Sequence, residues 1–293
     1  MLEGRIMKAL SGFYYVKTED GTYACKGRGV FRNKKITPFV GDMVRLRKSG
    51  DKEGYITEVL PRRNEFIRPP IVNVTQAIIV NAVIQPSFSS LLLDRFLVIN
   101  EMKRIKPLIV VTKKDLATEE DMEQMKQYKK DYAQLGYEVF LVSLEDSESI
   151  IPVKEHLKNE ITVLMGQSGV GKSTLLNTID QRFSIETGEI SHSLGRGKHT
   201  TRHVELHETN GGLVGDTPGF SSIDFDEIEA EQLASGFVEI KEQAQYCKFR
   251  SCLHVKEPKC AVKEAVEAGT IKQYRYHHYV QFLQEINERK PRY

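Results

Sequence analysis

Ile161 to Met165 reads as a buried strand. The next residues, Gly166-Gln167-Ser168-Gly169-Val170-Gly171-Lys172-Ser173, match G-x-x-x-x-G-K-S, and Ser173 to Ile179 suits a helix. A strand, a glycine-rich turn and a helix in that order form a phosphate-binding loop. Glycines let successive backbone N–H groups wrap a phosphate without Cβ clashes, and the helix N-terminus adds partial positive charge. In this setting Lys172 should reach the β and γ phosphates, and the Ser173 hydroxyl should hold Mg²⁺. Such a unit belongs in a mainly parallel sheet covered on both faces. The neighbouring sequence agrees: strands at 77–84, 107–112 and 138–143 alternate with helical stretches near 91–104, 118–135 and 148–158.

Thr112-Lys113-Lys114-Asp115 follows the second of those strands, at the carboxyl edge where a base-reading loop belongs. The Asp115 carboxylate can accept from guanine N1–H and the 2-amino group, a donor pair that adenine lacks, while the Lys113 stem can lie across the base. Ser143 ends the next strand and has two readings. It opens a second base loop, whose backbone N–H near Leu144 meets guanine O6, or it is a helix N-cap.

After the phosphate loop, 203–207 and 212–215 read as a hairpin turning at Thr209-Asn210-Gly211, leading into Asp216-Thr217-Pro218-Gly219. Asp216 can hold Mg²⁺ through water, and the Gly219 N–H can meet a γ-phosphate. Between the two motifs lies Gly195-Arg196-Gly197-Lys198-His199-Thr200-Thr201. There Thr200 or Thr201 can supply a hydroxyl to Mg²⁺, and His199 can orient the attacking water. Phe220 stands near where many GTPases carry a water-positioning glutamine, so that task must fall elsewhere. A conventional GTPase reads phosphate first and base last. Here the base motif precedes the phosphate loop, the order of a circularly permuted GTPase whose second switch runs directly into the C-terminal sequence.

That C-terminal sequence carries Cys247, Cys252, His254 and Cys260, spaced C-x₄-C-x-H-x₅-C. Three thiolates and one imidazole can close a tetrahedral structural Zn²⁺ site; the alternative is a set of buried cysteines without metal. Cys25 stands apart as a packed core residue, and the paired His277 and His278 read as surface residues of the last helix.

Charge is unevenly distributed along the chain. Residues 1–70 hold 15 Lys or Arg against 8 Asp or Glu, residues 71–227 hold 16 against 23, and the remainder 11 against 9, giving +7, −7 and +2. Phe13 to Val16 and Tyr23 to Cys25 flank Glu19-Asp20-Gly21, a hairpin signal, and short strands follow at Met43 to Leu46 and Tyr55 to Val59. The first 70 residues therefore read as a small β-barrel of the OB type, with an SH3-like barrel as the other option. Arg28, Arg32, Lys34, Lys35, Arg45, Arg47, Arg62 and Arg63 lie among Tyr and Phe residues, which fits RNA; a solvated basic surface with no partner is the alternative. No apolar run approaches the roughly 18 to 20 residues needed to span a bilayer, and the N-terminus lacks a secretory apolar stretch. A cytoplasmic protein with no membrane contact is expected. The expected architecture is an OB-like barrel over 1–70, a permuted α/β GTPase over 71–227 and a helical zinc-binding unit over 228–293.

In that combination the chain resembles the bacterial circularly permuted GTPases of the RsgA (YjeQ or YloQ) type, which act on the small ribosomal subunit. The motifs that carry the resemblance are TKKD at 112–115, GQSGVGKST at 166–174 (ending in Thr174), GRGKHTT at 195–201, DTPGF at 216–220 and the Cys/His cluster. It covers nearly the whole chain. Two positions depart from common GTPase usage: Thr112 replaces asparagine, and Leu144 replaces the alanine usual after Ser143. The resemblance implies late maturation of the small subunit, rRNA contact through barrel and zinc unit, slow GTP hydrolysis stimulated by the subunit, and a catalytic role for His199. A monomer is expected. A GTP-switched RNA-binding module uncoupled from ribosome assembly is the rival reading, and a P-loop ATPase is disfavoured by Asp115.

Overall fold

The computed structural model of the protein describes residues 1–27, 37–183, 204–216 and 224–289. Strands β1 (Leu2–Leu10), β2 (Phe13–Thr18), β3 (Gly21–Gly27), β4 (Met43–Lys48) and β5 (Glu53–Val59) form the N-terminal unit. The pairing order is β1-β2-β3-β5-β4, and β1 returns to β4 to close the barrel. β3 and β5 run parallel while the other pairs are antiparallel. This is the five-stranded Greek-key barrel of the OB type, and the topology removes the SH3-like option. Ile6, Val16, Cys25, Val44, Leu46 and Ile56 fill it, all at 0% exposure. Burial raises the Cys25 thiol pKa to about 11, as expected of a packed cysteine.

β1 carries no clear strand signal in the sequence. Its register shifts between Ile6 and Lys8, which breaks the alternation by which a strand is recognised. A ribbon of β6 (Glu65–Ile67) and β7 (Pro70–Val72) was also missed. Beyond the bulge, β1 leaves β4 behind and pairs with a strand of the second unit, Lys8 opposite Glu205, with those side chains 2.5 Å apart. A single continuous sheet thus joins barrel and GTPase unit.

The second unit is built on β8 (Gln76–Ala82), β9 (Lys106–Thr112), β10 (Glu138–Leu141), β11 (Ile161–Met165), β12 (Glu205–Thr209) and β13 (Gly212–Asp216), in the spatial order β10-β9-β8-β11-β13-β12. All neighbours are parallel except the β12–β13 hairpin. Its two-residue turn, Asn210-Gly211, has φ of 49° and 75°, the positive pair that a type I′ turn requires. Alternate residues of β8 serve the two faces. Ile78 and Val80 join the core under α3 (Ile151–Glu155) and α4 (Lys172–Ile179). Ala77 and Ile79 join the core under α1 (Ser90–Met102) and α2 (Glu119–Gln134). A capping box between Thr118 and Asp121 starts α2. Where one helix was expected over 148–158, a 3₁₀ turn at Ser147–Ile150 leads into the short α3, with Pro152 in its first turn.

The C-terminal unit contains α5 (Ala230–Leu233), α6 (Val238–Ala244), α7 (Ala261–Glu267) and α8 (Gln273–Glu288). It packs on α1 so closely that a Cβ on Gly236 would sit 2.7 Å from Val98 Cγ1. At this interface Arg275 of α8, only 1% exposed, donates from Nε and Nη2 to the carboxylate of Glu239 on α6 of the same unit, at 2.7 and 3.0 Å. Its Nη1 donates to Asp94 of α1, which also accepts from Tyr132 Oη at 2.6 Å. Burial opposes the Arg275 charge, but Asp94 and Glu239 outweigh it and hold the guanidinium pKa well above its ordinary value. His278, expected at the surface, instead sets Nδ1 2.5 Å from the other Asp94 oxygen; His277 is exposed as expected. No helix of the described residues is long and apolar enough to cross a membrane.

Candidate functional site

The loop from Gly166 to Gly171 leaves the C-terminal end of β11, the central strand between β8 and β13. Gly166 has φ 144°, and a Cβ there would lie 2.2 Å from the Val80 carbonyl oxygen. Only glycine fits both the conformation and the approach. Gln167, Ser168 and Gly169 are exposed at the loop crest, Val170 is buried in the core beneath it, and α4 begins at Lys172 after Gly171. Ser173 and Thr174 stand half-buried in the first turn of α4. Lys172 Nζ crosses the loop, donating to Gly166 O at 2.6 Å and Gln167 O at 2.7 Å. Burial lowers its pKa to about 8, so it remains mainly protonated at neutral pH. A phosphate beside it would raise that value again by charge attraction.

The base-motif residues gather at the same sheet edge. Lys113, with φ 60°, sends Nζ back to Gly169 O at 2.9 Å and to Gln85 O. Asp115 is exposed, and its carboxylate accepts no hydrogen bond from the described residues. Thr112, the first residue of the base motif, is 0% exposed, with Oγ1 2.7 Å from Val170 O and 3.1 Å from Asn81 O. Its hydroxyl clasps the base loop to the phosphate loop. Lys114 likewise turns away, to Asp146 at 3.9 Å, a surface pair of small energetic weight that spans the two base loops.

Ser143 is buried, and its hydroxyl accepts from Glu145 N–H at 3.3 Å, so it makes a local turn rather than capping a helix. The following N–H, of Leu144, makes no hydrogen bond to the described residues. Two features escaped the sequence reading. Gln85, 28 residues before Lys113, supplies it a carbonyl, and Ser149, six residues after Ser143, supplies a hydroxyl to the Ser143 loop; neither belongs to a recognisable motif.

Asp216 ends β13, opposite Glu205. His199, Thr200, Thr201 and Gly219 lie outside the described residues, as do Phe220 and the basic residues Arg28, Arg32, Lys34 and Lys35.

The four metal candidates converge, their ligand atoms all within 4.8 Å of one another. Cys247 Sγ lies 3.8 Å from Cys260 Sγ, and His254 Nδ1 lies 3.5 and 3.4 Å from those sulfurs. A tetrahedron with Zn–S of about 2.3 Å and Zn–N of about 2.0 Å has edges of roughly 3.8 and 3.5 Å. The donor set fits zinc through Nδ1. Tyr276 and Tyr279 donate to the carbonyls of His254 and Leu253 at 2.7 and 2.9 Å, and Glu257 accepts from the N–H groups of Leu253, Val255 and Lys256. These bonds hold the ligand loop in shape. Burial raises the Cys252 and Cys260 thiol pKa values and lowers that of His254, so metal binding must displace the thiol protons. The expected result is one zinc per chain by metal analysis, and Co²⁺ replacement should give the intense visible bands of a tetrahedral thiolate site. An octahedral, weakly coloured Co²⁺ species would refute the Cys₃His assignment.

The RsgA GTPase family model matches residues 59–226, and the RsgA N-terminal domain model matches residues 3–56. The chain is 56% identical over 293 residues to a protein of Oceanobacillus iheyensis named small ribosomal subunit biogenesis GTPase RsgA 2, covering all of both chains. It is also 56% identical over 298 residues to the Bacillus subtilis protein named small ribosomal subunit biogenesis GTPase RsgA, again in full. Among solved structures, the crystal structure of YloQ, described as a circularly permuted GTPase, aligns with TM-score 0.87 and 51% identity, covering 100% of this chain and 98% of that one. YjeQ from Thermotoga maritima aligns with TM-score 0.86 and 35% identity over 99% of both chains.

Proposed function

Because the chain belongs to the RsgA family of circularly permuted GTPases, we propose that it hydrolyses GTP on the small ribosomal subunit and assists the late maturation of that particle. The working division is a barrel over 1–70, the GTPase over 71–227 and a zinc-binding unit over 228–293. The observation that carries the nucleotide reading is the clasp at the sheet edge. Thr112 Oγ1 on Val170 O and Lys113 Nζ on Gly169 O fix the base loop against the phosphate loop. Recognition of base and phosphate is thereby set at a defined separation, as orientation-dependent catalysis requires.

In this reading the Asp115 carboxylate accepts from guanine N1–H and the 2-amino group, and the Leu144 N–H donates to O6. The N–H groups of Gly166 to Thr174 surround the phosphates, with Lys172 countering their charge. Ser173 would hold Mg²⁺, together with Thr201 or Thr200 and, through water, Asp216. Held there, the ion would supply positive charge against that developing on the phosphate oxygens. Gly219 N–H meets the γ-phosphate, and His199 orients the attacking water. The basic barrel and the zinc unit make the rRNA contacts, in the cytoplasm, with the protein acting as a monomer.

Co-sedimentation with purified small subunits tests the assignment. The protein should pellet with them in the presence of a non-hydrolysable GTP analogue and stay in the supernatant with GDP. Equal distribution in both states would favour an RNA-binding module uncoupled from ribosome assembly.

A further inference from the structure

The base-reading role given to the Leu144 N–H raises the question of what holds that N–H in place, since it lies in a loop beyond the end of β10. The Leu144 side chain packs on the phosphate loop, its Cδ1 2.8 Å from the position a Cβ would take on Gly171. The backbone on either side is organised by one residue further along. Ser149 Oγ accepts from Ser143 N–H at 3.2 Å and lies 2.7 Å from Ser143 O and 2.8 Å from Asp146 O. Ser149 N–H donates to Asp146 O at 3.2 Å, and Asp146 Oδ1 accepts from Glu148 N–H at 3.0 Å. With Glu145 N–H on Ser143 Oγ, the N–H groups of residues 143, 145, 148 and 149 are all engaged within this turn. The N–H groups of Leu144, Asp146 and Ser147 make no hydrogen bond to the described residues, and of these Leu144 directly follows the tethered Ser143.

We propose that Ser149 is a positioning residue for guanine specificity: its hydroxyl ties both backbone groups of Ser143 and so aims the Leu144 N–H at the 6-position of the base. The proposal rests on the Leu144 reading above. Ser149 touches no substrate atom. It acts through the peptide unit that does, and losing its hydroxyl frees the Ser143 N–H and C=O to drift. A neutral hydrogen bond that depends on such alignment weakens steeply as the angle opens.

Binding of GDP and 6-thioguanosine diphosphate to the full chain provides the test. The thio analogue keeps the N1–H and 2-amino group that face Asp115 and changes only the acceptor at position 6. The wild-type protein should prefer GDP by roughly tenfold, the scale of one neutral hydrogen bond. In Ser149→Ala the ratio should fall towards one, and Ser149→Thr, which keeps the hydroxyl, should restore it. Ser149→Cys, close in volume but a poor hydrogen-bonding group, should behave like alanine without leaving a cavity. A wild-type ratio retained in both the alanine and cysteine variants would overturn the role of Ser149. A wild-type protein that does not distinguish the two nucleotides would instead overturn the Leu144 reading and, with it, the proposal.

Discussion

Asp115→Asn should lower GTP and GDP affinity about 10³-fold and raise that for xanthine nucleotides. The physical reason is donor and acceptor matching. Guanine presents two donors, N1–H and the 2-amino group, to a carboxylate that accepts nothing from the described residues. Hydrogen bonds to a charged group contribute about 1.5–3 kcal/mol each, so losing two corresponds to roughly 10²- to 10⁴-fold in binding. Asparagine keeps one acceptor but turns a donor towards the 2-amino group. Xanthine carries a carbonyl at that position and accepts from the new amide. Fluorescence titration with guanine and xanthine diphosphates reads both effects. Unchanged guanine preference would remove Asp115 from the base site.

The second large effect concerns how the zinc-bearing unit is fixed to the GTPase. Arg275→Ala would leave Asp94, at 0% exposure, and Glu239, at 7%, facing each other without their shared cation. Breaking a buried pair on one side costs about 3–5 kcal/mol, because the remaining charge stays desolvated. The guanidinium also lies 4.8 Å from the centre of the Phe237 ring, and alanine would forfeit that cation–π attraction as well. Amides in the middle of α8 should then exchange roughly 10²- to 10³-fold faster. Zinc content should be retained, since the metal ligands lie outside the network. Exchange within a factor of about three of wild type would mean that the network contributes little to the docking. Arg275→Lys should recover only part of the protection, as an ammonium cannot fork to both oxygens of Glu239.

Where the sequence was readable, the signal was local. The phosphate loop declares itself by glycines that a Cβ would exclude, as at Gly166, and the β12–β13 hairpin by Asn210-Gly211. The zinc ligands fall within a short stretch and need no long-range folding to be recognised as a set. What stayed hidden depends on tertiary structure. The motif places Thr112 in the base loop but gives no sign that its hydroxyl is held by Val170, 58 residues away. His278 looked like a surface residue because Asp94, its partner, is 184 positions distant. The bulge in β1 erased its strand signal while allowing it to reach β12.

This last pairing bears on the permuted motif order. The strand β12 follows the segment that contains His199 and pairs with β13, which ends at Asp216, and the barrel is hydrogen-bonded to it through β1. The barrel therefore adjoins the strand pair that lies between the two switch motifs in sequence.

The central claim, a GTPase whose turnover belongs to the small ribosomal subunit, is tested most directly by the rate of GDP release with and without purified small subunits. The rate should rise roughly tenfold or more when subunits are added, as when a partner completes a GTPase site in trans. His199→Ala should still bind GTP but lose most of that increase. An identical rate with and without subunits, in a preparation that binds GTP, would contradict the account.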